Sequence, residues 1–226
     1  MSNARTNPSS AHRTRLLIVD SSVVCREGLR VIVSQNKQFD VRQCASNGVG
    51  VGDLVGRHLP HLVIIEPFDD GRDGVLLIKD LAVRFPKLRI LAVSEKPEEV
   101  YAERILRAGA SGYWLKSGAS EELIRAVDTV LSGELYVSAR IAFLAVKKFA
   151  DPSGSNNTAM ATLTDRELHV FGLIGAGHGT GRIAGDLGLS RKTIETYQGR
   201  IKAKFGYRGA RELHEGARKW FDSVKR

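Results

Sequence analysis

From Arg15 to Leu131 the apolar positions fall in short runs of strand length, Arg15–Asp20, Phe39–Ala45, Leu62–Glu66, Arg89–Ser94 and Gly112–Lys116. Stretches with helical spacing lie between them, namely Val23–Ser34, Leu76–Phe85, Val100–Ala108 and Ser120–Leu131. The last of these reads as opened by a Ser120 cap with acids in its first turn. Strand and helix alternating five times predict an α/β domain, a doubly wound five-stranded parallel sheet with helices on both faces.

The pattern then changes. Val137–Phe149 has apolar residues at helical spacing through Ile141, Leu144, Ala145 and Phe149, with lysines on the other side, and predicts a linker helix. Asp151–Thr158 is polar, with proline and glycine, and has too little apolar surface to pack. Met1–His12 has the same character and is expected to stay disordered. Residues 1–13 are therefore taken as a tail, 14–133 as the α/β domain, 134–160 as a linker containing a helix, and 161–226 as a second, all-α domain. That last domain opens with a capping box, Thr164 to Glu167, in which each side chain can satisfy an amide of the other's turn. A helix to about Gly175 should follow, then a short helix Gly181–Leu187, a turn Gly188–Ser190, and a longer helix capped by Ser190 and running to Phe205. Ile194, Ile201 and Phe205 share one apolar stripe of the longer helix, while Arg191, Lys192, Arg200, Lys202 and Lys204 take its other faces. Ala210–Phe221 predicts a final helix.

Charge sharpens this division. The chain carries a formal net charge of +9, of which +6 lies from Asn156 onward, so the short C-terminal third favours an anionic partner. No run is long and apolar enough to span a membrane, and the expectation is a soluble, cytoplasmic protein. Cys25 and Cys44 stand apart in apolar surroundings and read as reduced core thiols, without metal spacing. The run Gly175–Gly181 lacks the register, the lysine ending and the preceding strand of a phosphate loop. His169 and His178 have no partners at metal spacing and read as surface or turn residues. Gly172 and Gly185, inside helices, each cost about 0.5–1 kcal/mol relative to alanine.

Parallel sheets gather chemistry at the carboxyl ends of their strands, and there stand Asp20, Glu66, Ser94 and Lys116. With Val19-Asp20, Arg26–Leu29, Asp73-Gly74, Ala108–Tyr113 and Lys116, the segment Arg15–Leu131 resembles the receiver domain of response regulators, a flavodoxin-like fold. The resemblance implies two adjacent acids after the first strand and an aspartate after the third, which hold Mg²⁺ and accept a phosphoryl group. Here the pair is Asp20-Ser21 and the acceptor position is Glu66. A serine removes charge from the metal site, and the longer side chain moves the attacking oxygen by about a bond length. Magnesium is therefore expected to bind weakly or not at all, with Asp20 and Glu66 its remaining carboxylates, and no other cofactor is called for. Ser94 and Tyr113 match the family's switch hydroxyl and switch aromatic. Three readings compete for Glu66: a carboxylate that imitates the switched-on state, a degenerate position in a docking scaffold, or a slow phosphoryl acceptor.

The second domain resembles the LuxR-type helix-turn-helix domain of NarL/FixJ response regulators, through Leu163–Glu167, Ile183-Ala184, Leu187–Ser190, Lys192–Tyr197 and Arg200-Ile201. Histidine is usual where Tyr197 stands. The resemblance implies that Lys192, Thr193, Tyr197, Arg200 and Lys204 contact phosphates, while Glu195, Thr196 and Gly199 face base edges. Double-stranded DNA is the expected partner, with the chain acting as a homodimer and a regulatory protein or small ligand acting at the receiver. No enzymatic activity is expected, because no nucleophile stands beside a base at the strand ends. The expected function is transcriptional regulation without aspartyl-phosphate control. The alternatives are an ordinary phosphorelay regulator and a protein-binding adaptor that has lost DNA binding.

Overall fold

The computed structural model describes residues 13–45, 50–68, 74–150 and 159–224. The strands are β1 (Thr14–Val19), β2 (Phe39–Ala45), β3 (Leu62–Ile65), β4 (Arg89–Ser94) and β5 (Gly112–Leu115). They form one parallel sheet in the order β2-β1-β3-β4-β5. Alternation along each strand sorts the core into two layers. Leu16, Ile18, Leu62, Ile64, Leu91, Val93 and Trp114 pack beneath α1 (Val23–Val33) and α5 (Ser120–Ser132). Leu17, Val19, Val63, Ile65, Ile90, Ala92 and Tyr113 face α2 (Val51–His58), α3 (Gly74–Arg84) and α4 (Glu98–Arg107).

The predicted elements recur with small shifts, and α2 is an addition. Its sequence contains Gly52 and Gly56 and starts at a left-handed Gly50 without a side-chain cap, so its signal was weak. Two expectations are corrected. Ser120 is the first helical residue of α5, not its cap, because the extended residue before it is Ala119. A side-chain cap does form at Ser22, whose hydroxyl accepts from the Cys25 amide at 3.3 Å. Cys25 lies half-exposed on α1, while the side chain of Cys44 is outside the described set, as are Asp73, Met1–His12 and Asp151–Thr158.

The linker helix is α6 (Ala139–Ala150), fixed at its start to α4: Ser138 donates to Glu98 at 2.5 Å and Arg140 meets Glu99 at 2.8 Å. A short helix, α7 (Ala159–Thr162), leads into α8 (Asp165–Gly175), α9 (Thr180–Asp186), α10 (Arg191–Phe205) and α11 (Ala210–Val224). Phe171 of α8 is buried between Phe205 and Trp220, with ring centroids 5.0 and 5.5 Å away. Gly175 is required there, because a Cβ would lie 2.5 Å from the Ala217 carbonyl oxygen of α11. By contrast, Gly172 has room for ordinary contacts and Gly185 faces open space. The apolar layer beneath α4 is continuous with the core of this helical domain.

Candidate functional sites at the strand ends and on the recognition helix

At the carboxyl edge of the sheet the four predicted residues converge. Lys116 places its Nζ 2.7 Å from Asp20 Oδ2 and 3.1 Å from Glu66 Oε2. The other Glu66 oxygen, Oε1, accepts from the Ser94 hydroxyl at 2.8 Å and from the Phe68 amide at 3.0 Å. Asp20 Oδ1 accepts from the Ser22 amide at 2.8 Å, and Arg26 donates to the Asp20 carbonyl at 2.6 Å. Tyr113 is buried and donates its hydroxyl to the Lys96 carbonyl at 2.6 Å, while the Lys96 amide donates to Ser94. Every charge of this cluster is thus held by a neighbour.

Burial sets the protonation balance. Loss of solvent raises the Glu66 carboxyl above its usual value, with Lys116 and the donors of Phe68 and Ser94 pulling the other way. Burial also pulls on Lys116, but the hydrogen bond to Asp20 and the two carboxylate charges win and hold its pKa above the ordinary lysine value. The residues present do not fit a resident Mg²⁺. That ion takes six oxygens in near-octahedral array, whereas here one ammonium already bridges both carboxylates and Ser21 replaces the third acid.

The second site is built on α10. Ser190 caps it, accepting from the Thr193 amide at 3.1 Å, and Ile194 and Ile201 are fully buried below. Lys192, Glu195, Thr196, Gly199 and Arg200 recur at helical spacing on the opposite, exposed face. Thr196 returns its hydroxyl to the Lys192 carbonyl at 2.9 Å, which leaves its methyl as the group available to a partner. Thr193 shares its hydroxyl with Ser190 at 2.8 Å, and Tyr197 is half-buried against the core.

Lys204 is placed differently from the residues it was grouped with. Its Nζ lies 2.6 Å from Glu167 Oε2 and 2.8 Å from the Thr162 carbonyl oxygen. Glu167 is itself 2 % exposed and closes the predicted capping box, accepting from the Thr164 amide at 2.8 Å. Lys204 thus ties the end of α10 to the start of α8, its ammonium held by Glu167 although the side chain stays about a third exposed. Burial pushes the Glu167 carboxyl up, but Lys204 and the Thr164 donors outweigh it and hold the pKa below the usual range.

Contacts across the helices complete the second site. Gln198 donates to Thr180 at 3.1 Å and sets α10 against α9, and the Arg191 side chain lies over Gly181. Gly181, a bare helical surface wide enough for a guanidinium, was the available signal. His169, expected at the surface or in a turn, is half-buried in α8, and that burial, with Lys96 and Arg166 adding positive charge, lowers its pKa to about 4. His178 sits 3.3 Å from Asp186.

Two family patterns match the chain: the response regulator receiver domain over residues 16–128, and the bacterial regulatory proteins of the luxR family over residues 161–215. The oxygen regulatory protein NreC of Staphylococcus carnosus (strain TM300) is 31% identical over 210 residues, covering 91% of this chain and 97% of that protein. NreC of Staphylococcus aureus (strain JH9) is 32% identical over 211 residues with the same coverage. Among solved structures, RcsB from Salmonella enterica serovar Typhimurium, bound to promoter rprA in the presence of phosphomimetic BeF3-, matches with a TM-score of 0.62. The identity is 23%, over 90% of this chain and 97% of that one. A further Salmonella typhimurium RcsB structure gives a TM-score of 0.64 at 21% identity, over 94% and 98% of the two chains.

Proposed function

The chain belongs to the NarL/FixJ-type DNA-binding response regulators, a receiver domain joined to a LuxR-type helix-turn-helix domain, and we propose that this member regulates transcription without phosphoryl control. The observation that carries the proposal is the filled strand-end site, in which Glu66 holds Lys116 and the Ser94 hydroxyl together. A carboxylate extended this far takes up the hydroxyl contact that the switched-on state gives to a phosphoryl oxygen. The inward Tyr113 supports the same reading. Of the three readings of Glu66, imitation of the switched-on state fits these contacts best. Magnesium is not required.

The exposed stripe of α10 supplies the DNA contacts. Lys192 and Arg200 meet backbone phosphates, which give salt-dependent affinity. Glu195 and the Thr196 methyl face base edges, suited to a cytosine amino group and a thymine methyl. A glycine at position 199 lets the backbone approach the groove. Two copies reading paired half-sites fit a helix of this kind, about 22 Å long at 1.5 Å per residue. The comparison with RcsB bound to promoter DNA points the same way.

The test is incubation with a small-molecule phosphodonor and Mg²⁺, followed by intact-mass measurement and DNA-binding titration. The expected result is an unmodified Glu66 and an unchanged DNA affinity. Stoichiometric acyl phosphate on Glu66, with affinity rising in step, overturns the reading in favour of an ordinary phosphorelay regulator. Binding that shows neither salt dependence nor sequence preference across a randomised DNA pool favours the adaptor.

A further inference from the structure

Three residues beside the strand-end cluster point toward the helical domain. Phe68 follows Glu66 by two positions, and its amide is held by Glu66 Oε1 at 3.0 Å. Its ring packs on Tyr101 of α4 with centroids 4.5 Å apart and meets the edge of His169 of α8 at 6.3 Å. One α-helical turn along α4, Arg104 donates to the Leu163 carbonyl at 2.8 Å, the Met160 carbonyl at 3.1 Å and Asp165 Oδ1 at 2.7 Å. Those acceptors lie at or just before the first turn of α8, so one guanidinium grips the start of the helix that carries the capping box. Tyr101 is 4 % exposed and lines, with Phe68, Asp165, Arg166 and His169, a narrow crevice between the domains. The recognition stripe of α10 stays exposed in this arrangement.

We propose that Glu66 acts on the DNA-binding domain through a latch: its carboxylate oxygen fixes the Phe68 turn, and Phe68, Tyr101 and Arg104 together hold the start of α8 against the receiver. The latch sets the orientation of the recognition helix and does not cover it. A Glu66 that lets go of the Phe68 amide frees the ring to leave Tyr101 and His169, and the grip then rests on Arg104 alone. The carboxylate end of the sheet and the DNA-binding domain thereby communicate through one turn of backbone. The latch extends the regulator reading but is tested without DNA, so the two fail separately.

The experiment uses the full chain without DNA, measuring small-angle scattering and deuterium uptake of the Leu163–Phe171 segment for wild type, Arg104→Ala, Phe68→Ala, Glu66→Ala and Glu66→Gln. The Glu66→Ala variant should keep its fold, because Lys116 retains Asp20 as a partner, and thermal denaturation of the variant checks this. Arg104→Ala and Phe68→Ala should expand the particle and raise uptake of that segment several-fold. Glu66→Ala should do the same to a lesser extent, while Glu66→Gln, which keeps an acceptor oxygen for the Phe68 amide, stays within about twofold of wild type. The proposal is overturned if Glu66→Ala exchanges like wild type, or if Glu66→Gln loosens as far as Glu66→Ala. Loss of DNA binding with an intact latch would bear on the regulator reading alone.

Discussion

Among the described residues Lys116 and Lys204 stand against shielded carboxylates while Lys192 and Arg200 of α10 face solvent, and that contrast separates what holds the molecule from what meets a partner. Lys116 and Lys204 each lie within hydrogen-bond distance of a shielded acid, Glu66 or Asp20 for the first and Glu167 for the second. Lys192 and Arg200 point to solvent from a helix whose opposite face is core. Held charges give geometry and little long-range field. Outward charges give field and salt-dependent affinity. The strand-end cluster keeps its charges for itself, and α10 divides its cations between the two uses along a single helix.

The largest effect should come from breaking that division at Lys204. Lys204→Ala leaves Glu167 shielded with the Thr164 amide as its remaining donor, and stability should fall by about 2 kcal/mol, less than the roughly 3–5 kcal/mol of a fully buried pair because the Lys204 side chain is 31% exposed. Urea denaturation measures it. Under conditions where the variant is folded, the salt dependence of DNA binding should match wild type. A shallower slope with unchanged stability would return Lys204 to the phosphate-contacting set.

Arg200→Ala is the mirror experiment. Stability should stay within about 0.5 kcal/mol, as for most exposed positions. DNA affinity should drop by about tenfold, roughly 1.4 kcal/mol, and the slope of affinity against salt should shrink by about one unit. Titration at several salt concentrations gives both numbers. If Arg200→Ala and Lys204→Ala behave alike, held and outward cations are not distinct classes in this domain.

Sequence could not separate these two cations, and the reason is physical. Lys204 and Arg200 are one helical turn apart and both flank the Ile201 stripe, so periodicity gives them the same surface reading. What distinguishes Lys204 is the Glu167 carboxylate, brought close by the packing of α8 on α10, a contact across 37 positions of chain. The sheet was legible because each buried strand is a near-continuous apolar run, and its carboxyl-end residues follow from topology. The capping box was legible because it is local, three residues apart. Helix α2 was not, since two glycines dilute its propensity and tertiary packing of Val51 and Val55 supplies what they lack. The Arg104 grip reaches Asp165 across 61 positions and two backbone carbonyls across 59 and 56, and the carbonyls carry no residue signature at all.

A third test sets the two glutamates against each other. Both lie beside a lysine, yet Glu66 is raised and Glu167 lowered from the usual carboxylate value of 4.5. For Glu167 the folded state binds its proton more weakly than the unfolded chain. Its contribution is present above 4.5 and is lost as pH falls through the folded value. Glu66 has the opposite sign: the folded state holds the proton longer, so stability declines as pH rises from 4.5 through the raised value. Carboxyl NMR titration reads both directions at once. Glu66→Gln should remove the decline on the rising side and leave the Glu167 effect in place.

The smallest effect concerns the surface between the two regions, where His169 faces Phe68 across the crevice. Lys96 reaches it from the segment after β4, Arg166 from α8 itself, Tyr101 from α4, and Asp165 lines the same crevice. With its pKa lowered to about 4, the docked form binds a proton far less readily than a free histidine at 6.5. Docking is therefore fully present above the free value and weakens as pH falls from 6.5 toward 4, below which the loss levels off. His169 is partly open to solvent, so screening keeps the change modest. Small-angle scattering near neutral pH and again at about pH 5 should show a slight expansion, reversed on returning to neutral. His169→Leu keeps the apolar contact with Phe68 and removes the titrating group, so its scattering should not change over the same range. Expansion of equal size in His169→Leu would assign the acid response to the carboxylates, and the two regions would then be joined by charge and not by the Phe68 contact.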